Sequence, residues 1–240
     1  MSITPTGVFS RPAFKLRSML AQCATVQSLL KAANAAAALA LIPDQGSEGE
    51  ASRPCLWVSS AEDSPEELAG GTRSYFKPHG RLEVYLQIPR QWEGTLSTVT
   101  DASNLADALR AGHANDLFNG FQLKMQEGEA AGEARTIQDF DGTTGAMVLA
   151  SALPAVPEVG QRYTFEAAGL ADAYVFVKNQ LGAIRSELLA LSGLGSTDPL
   201  DASSEGYLSI RSIRLMDWGE SLSEQEKSFF GAKFEVEFGI

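Results

Sequence analysis

The sequence has only two cysteines, Cys23 and Cys55, and only two histidines, His79 and His113. Two cysteines cannot build a disulfide framework, and both sit among apolar neighbours, so reduced core thiols are expected. No His or Cys spacing suits a metal site, and the histidines are expected on the surface or in loops. No Gly-x-Ser-x-Gly elbow occurs, and neither histidine has a serine or cysteine nearby in a nucleophilic arrangement. The pair Gly193-Leu194-Gly195-Ser196 lacks the lysine and preceding strand of a phosphate loop and reads as a helix stop. No run approaches about 18 apolar residues, and the first residues lack a leader pattern, so a soluble chain made in a cytoplasm, with no membrane partner, is expected. Basic residues are scarce: 19 against 30 acidic give a net charge of −11, the wrong sign for gripping nucleic acid or an anionic membrane.

The 240 residues, 44% hydrophobic, can bury one large core or two modest ones, and two are expected. Ser10 can cap a helix in which Leu16, Met19, Cys23, Val26 and Leu30 recur at spacings of three and four, which predicts an ordered helix to about Ala33. Asn34 and the closing Leu41-Ile42-Pro43 argue for a break around the alanine-rich stretch that follows. Residues 44–54 read as a loop, Cys55–Ser59 as a short strand, and 60–80 as a second loop. Arg81–Ile88 alternates strictly and predicts a strand with Leu82, Val84, Leu86 and Ile88 on one face. Val177, Leu181, Ile184, Leu188 and Leu191 predict a second long helix at 173–192, capped by Asp172 and stopped by Gly193. Leu208 and Ile210 are out of phase with Ile213 and Leu215, which predicts a strand bulged near Arg211-Ser212. Phe234, Val236 and Phe238 alternate in a final strand.

Between these parts, residues 93–169 have an all-β rhythm, with turn signals at Asn119-Gly120, Gly128, Gly132, Asp141-Gly142 and Pro157 and a helical possibility near Leu105–Leu109. This segment holds 4 basic and 11 acidic residues, −7, leaving −4 for the rest. The resulting expectation is an α+β fold: a mainly antiparallel sheet covered by two helices, built from 1–92 and 170–240, with an inserted all-β domain at 93–169.

The inserted segment resembles a small β module that recurs in phage tail and fibre proteins. The matching residues are Asn115-Asp116-Leu117-Phe118-Asn119-Gly120, Gly128, Gly132, Arg135, Ile137, Phe140, Asp141-Gly142, Pro157, Gly160 and Tyr163. Asn-Gly and Asp-Gly supply positive φ in tight turns, and the aromatics can plug a small barrel or sandwich. The flanking parts are similar to phage tail-terminator proteins in their order of helix, strands, long helix and closing strands: Phe14–Leu30, Arg81–Ile88, Ala171–Gly193, Gly206–Ile210 and Phe229–Gly239. That resemblance implies a non-enzymatic virion subunit at the tail or neck, assembled in the host cytoplasm. It further implies a hexameric ring of copies of itself, contacts with the tail tube protein and with a head-neck connector or stopper, and DNA only as passing cargo. No cofactor or metal is expected.

Trp57, Trp92, Trp218, Phe229 and Phe230 are expected in the core or at subunit contacts, and Glu220, Glu224 and Glu226 in a polar loop or short helix suited to docking. Glu127, Glu129, Glu133, Asp139 and Asp141 read as a solvated β face, with calcium binding or paired-carboxylate catalysis as the competing chemistry. Other readings stay open: a binding module in which the insertion recognises a glycan or another virion protein, a head-completion or adaptor protein of the neck, or a wall or polysaccharide hydrolase.

Overall fold

A computed structural model describes residues 11–43, 54–68, 75–89, 91–192, 209–222 and 228–239. Its first sheet is four-stranded and antiparallel, in the order β1 (Cys55–Leu68), β2 (Tyr75–Pro89), β11 (Ser228–Gly239), β10 (Ser209–Leu222). The expected alternation holds: Leu82, Val84, Leu86 and Ile88 of β2 are buried, as are Leu56 and Val58 of β1 and Phe234 and Val236 of β11. Helices α1 (Arg11–Gln22) and α4 (Leu170–Ser192) pack on this sheet, while α2 (Ala24–Leu30) and α3 (Ala35–Ala40) pack chiefly on the other helices. The fold is α+β. No helix among the described residues is long and apolar enough to cross a membrane.

The single early helix expected to reach Ala33 is instead two, broken at Cys23, whose ψ of 126° is extended. The apolar stripe survives, with Leu16, Met19, Cys23 and Val26 all buried. The break costs little because its loose polar groups find partners. Gln27 Nε2 donates to the Ala21 carbonyl at 2.9 Å, and Glu187 of α4 accepts from the Thr25 N–H at 3.2 Å and the Thr25 hydroxyl at 2.6 Å. Glu187 thus caps α2 from another helix, in place of Cys23, which provides no side-chain cap bond. The alanine stretch forms its own helix behind Asn34, whose side chain accepts from Ala37 N at 3.0 Å.

Three other expectations change. Residues 60–80, read as a loop, belong largely to strands: β1 runs on to Leu68 and β2 begins at Tyr75. The sequence concealed this because apolar alternation marks a strand only where one face is buried, and backbone pairing needs none. Asp172 lies within the first turn of α4 instead of capping it. Glu220, Ser221 and Leu222 belong to β10, paired with Phe230, Phe229 and Ser228. The bulge expected near Arg211 is present as a register shift between Ile210 and Ser212.

Residues 91–166 form the second sheet, seven-stranded, in the order β3 (Gln91–Thr95), β9 (Arg162–Glu166), β6 (Gln122–Met125), β7 (Ala134–Asp141), β8 (Ala146–Leu149), β5 (Asn104–Ala106), β4 (Thr98–Val99). Its terminal strands, β3 and β4, are separated in the chain by Leu96 and Ser97 alone. Leu96 N donates to Gln161 O at 3.0 Å, and Ser97 N donates to Ala106 O at 2.8 Å. One extended segment therefore pairs with β9 along its first part and with β5 along its second, so the sheet meets itself and closes into a small barrel. The helix considered near Leu105–Leu109 reduces to a single 3-10 turn, Ala108–Arg110, after β5.

Aromatics fill this barrel. Phe118, Phe140, Tyr163, Phe165 and Trp92 are each at most 1% exposed, and Phe118 lies 4.6–5.0 Å, centroid to centroid, from Trp92, Phe140 and Phe165. Of the two Asx-Gly turns, Asn119-Gly120 has its positive φ at Gly120, but Gly142 is not left-handed. The β7–β8 turn takes its positive φ at Gly145 (+74°). Gly142 is needed for another reason: a Cβ there would overlap the His113 carbonyl oxygen.

Candidate functional site

The candidate contact residues divide by place. Trp57 is 9% exposed and stacks on Tyr85, its cross-strand neighbour, with centroids 5.0 Å apart and planes 2° from parallel. Both lie on the sheet face turned away from the buried row of Leu56, Val58 and Val84. In the same row, Lys233 of β11 stands opposite Tyr85 and places its ammonium 5.4 Å from the ring centroid. Lys233 also binds Glu83 at 2.6 Å, and Tyr85 donates its hydroxyl to Glu83. Burial alone would raise the Glu83 carboxyl, but the Lys233 ammonium and the Tyr85 hydroxyl more than offset it and hold it below its ordinary value. Glu235, in register with Glu83, adds a second carboxylate to this half-buried face.

Trp92 takes the core alternative of the two expected. At 1% exposure it lies inside the barrel against Phe118 and Phe165 and can make no contact between subunits. Trp218, Glu220, Phe229 and Phe230 are placed by their backbones alone. Glu220 pairs with Phe230, and Phe229 and Phe230 pair with Pro89 and Ile88, which brings these three to one end of the sheet. Trp218 lies within the irregular stretch of β10 between Asp217 and Glu220. Glu224 and Glu226 lie outside the described residues, as does the Gly193–Ser196 stretch.

The carboxylates of the inserted segment are mostly occupied locally. Glu127 binds Arg162 at 2.6 Å, Glu133 binds Arg135 at 3.0 Å, and Asp141 accepts from Thr143 N and the Thr144 hydroxyl within the β7–β8 turn. Among the described residues no group of three His, Cys, Asp or Glu is arranged to hold a metal ion. Cys23 is buried and Cys55 half-buried, neither in a disulfide, and burial followed by the Glu187 carboxylate pushes the Cys23 thiol up to about 12.

Two polar clusters went unforeseen. Inside the barrel wall, Tyr163 donates to Asp107 at 2.7 Å, and Arg110, 3.7 Å from Asp107, lies over the Trp92 and Phe165 rings and donates to the Glu93 carbonyl. Burial pushes the Tyr163 hydroxyl far up, so it stays a donor. At the junction with α2, His113 lies in a loop, one of the two placements expected, but is only 6% exposed. Gly112-His113-Ala114 contains no apolar alternation, and what buries the ring comes from elsewhere in the chain: Trp92 and Phe118 of the barrel, with Ser28 of α2 on the other side. A small apolar cavity lies between β2, the barrel and α4, lined by Ile88, Phe121, Ala173 and Phe176 among others.

No protein-family model matches the chain, and no curated protein matches it. A solved structure described as the virion of a native gene transfer agent particle is 12% identical, over 60% of this chain and 81% of that chain, with a TM-score of 0.32. That score is too low to argue from.

Proposed function

We propose that the chain is a structural virion protein of a phage tail, and more narrowly a tail-terminator-like subunit that closes into a ring, caps the tail tube and joins it to the head-neck connector. The sequence resemblances supply the context. The observation that carries the ring is the pair of unlike open edges on the four-stranded sheet. Among the described residues no strand pairs with the outer edge of β1 or of β10. Every neighbour pair in the sheet is antiparallel and the strands number four, so β1 and β10 run opposite ways. A copy rotated about an axis along the strands brings its β1 antiparallel to the first copy's β10, and repeating that step closes a ring.

The prolines say where such a joint can form. Pro65 stands opposite Pro78 in the β1–β2 register. Lacking N–H groups, both turn their nitrogens away from that ladder, so Pro65 spoils the outer edge of β1 in its distal part. Leu56–Ser60 remains open to strand addition. A subunit of net charge −11 suits a channel along which DNA slides without sticking. Nothing in this role calls for a catalytic residue.

The test is solution mass by light scattering across a dilution series, with negative-stain imaging of any large species. A closed ring of about six copies is expected from ordinary ring-closure logic, and Ser60→Pro, which removes an edge N–H, reduces it to folded monomer. A monomer at every concentration that also leaves purified tail tubes uncapped refutes the proposal, and a lumen lined by Lys and Arg refutes the DNA-passage part of it.

A further inference from the structure

The barrel is fastened to α2 by a short run of polar contacts in the loop between Leu109 and Ala114. Lys31, just past the end of α2, donates to the Leu109 carbonyl. The Ala114 N–H donates to the Ser28 hydroxyl at 2.6 Å. Between them, Nδ1 of His113 lies 3.0 Å from the Ser28 carbonyl. That oxygen can only accept, so Nδ1 carries the proton and Nε2 keeps its lone pair.

Nε2 is buried without any hydrogen-bond partner. The ring is enclosed by Trp92 and Phe118, both edge-on, with centroids at 5.8 and 5.2 Å. The charged groups around it are cations, Lys31 from the helix side and Arg110 from the barrel side, and both disfavour a second positive charge. Asp107, which caps the turn leading into the loop, is engaged by Tyr163 and Arg110. An imidazolium here would carry an unanswered N–H and an uncompensated charge, and it escapes both only by leaving the cage.

We propose that this joint is an acid-sensitive latch: protonation of His113 releases the 109–114 loop, and with it the barrel, from α2. Such a device goes beyond the ring reading and does not depend on it. The size of the effect follows from linkage. Burial, with the two cations adding to it, depresses the imidazole from 6.5 to about 4 in the latched state, so latching is at full strength above pH 6.5 and weakens as the pH falls through the window to 4. At pH 5 the loss relative to pH 7.5 is about 30-fold in the latching equilibrium.

Hydrogen exchange on the full chain at pH 7.5 and pH 5, corrected for intrinsic rates, reads this directly. Peptides covering 24–34 and 109–118 are expected to lose about 30-fold of their protection in acid while the barrel strand at 162–166 keeps its own. In His113→Asn, whose side-chain amide can donate to the Ser28 carbonyl but cannot titrate, that acid loss is expected to vanish. Equal loss in His113→Asn, or parallel loss in the 162–166 peptide, overturns the proposal. Should the variant fail to fold, imidazole NMR of the wild type decides. A neutral Nδ1–H ring that persists below pH 5 agrees with the latch, and a ring that titrates at its ordinary 6.5 overturns it.

Discussion

Replacing Glu187 is the most direct test of how the helices are held together. Its carboxylate lies on α4 and accepts two bonds from Thr25 at the start of α2, the N–H at 3.2 Å and the hydroxyl at 2.6 Å. Cys23, the residue in the ordinary capping position, supplies no cap bond, so Glu187 is the cap among the described side chains. Losing a side-chain cap costs about 1 kcal/mol, and losing a negative charge at a helix start adds about 0.3–1 kcal/mol. Glu187→Ala is therefore expected to destabilise the protein by about 1–2 kcal/mol, and Glu187→Gln, which keeps an acceptor but no charge, by about half of that. Urea unfolding of both variants, with Thr25→Val and the Thr25→Val/Glu187→Ala double variant, completes a cycle. Coupling of about 0.5–1 kcal/mol is expected, because Val keeps the shape and the N–H of Thr25 but drops the hydroxyl bond. Additivity within about 0.3 kcal/mol, or a cost for Glu187→Ala below that figure, would refute the idea that a carboxylate from α4 caps α2.

Tyr163→Phe should cost about 1–3 kcal/mol, because it strips a donor from Asp107, which is 1% exposed, and calorimetry of the two proteins measures it. Phe118→Ala should cost about 3–5 kcal/mol through the cavity left at the centre of the barrel, visible as a shift in the urea midpoint. Gly142→Ala should destabilise the barrel although the backbone there is not left-handed, since the new Cβ meets the His113 carbonyl. Its melting temperature should fall well below that of Thr143→Ala at the exposed neighbour. Cys23 should resist a thiol reagent at pH 8 in the native protein and react only on unfolding, since its thiol is held up at about 12; rapid native labelling of Cys23 would contradict its burial.

Where burial of one face sets a period, the sequence by itself determined the kind of element, though not every break in it, as Cys23 shows. Alternation at Leu82–Ile88 and Phe234–Val236, and the three-four stripe of α4, translate burial directly into a period, and the α+β class follows from their order. The phase slip at Arg211-Ser212 was readable because a bulge shifts a side-chain period by one. Tertiary structure decided the rest, where partners come from distant parts of the chain. The distal strands of β1 and β2 are held by backbone pairing that side chains do not announce. Barrel closure depends on Leu96 and Ser97 bonding to Gln161 and Ala106, remote positions that no local pattern pairs. Trp57 and Trp92 look alike as isolated tryptophans, yet one stacks on Tyr85 at the outer sheet face and the other fills a barrel. His113 is enclosed by Trp92 and Phe118 of the barrel and hydrogen-bonded to the carbonyl of Ser28, 85 residues away, and contacts across that distance leave no trace in the sequence around either residue.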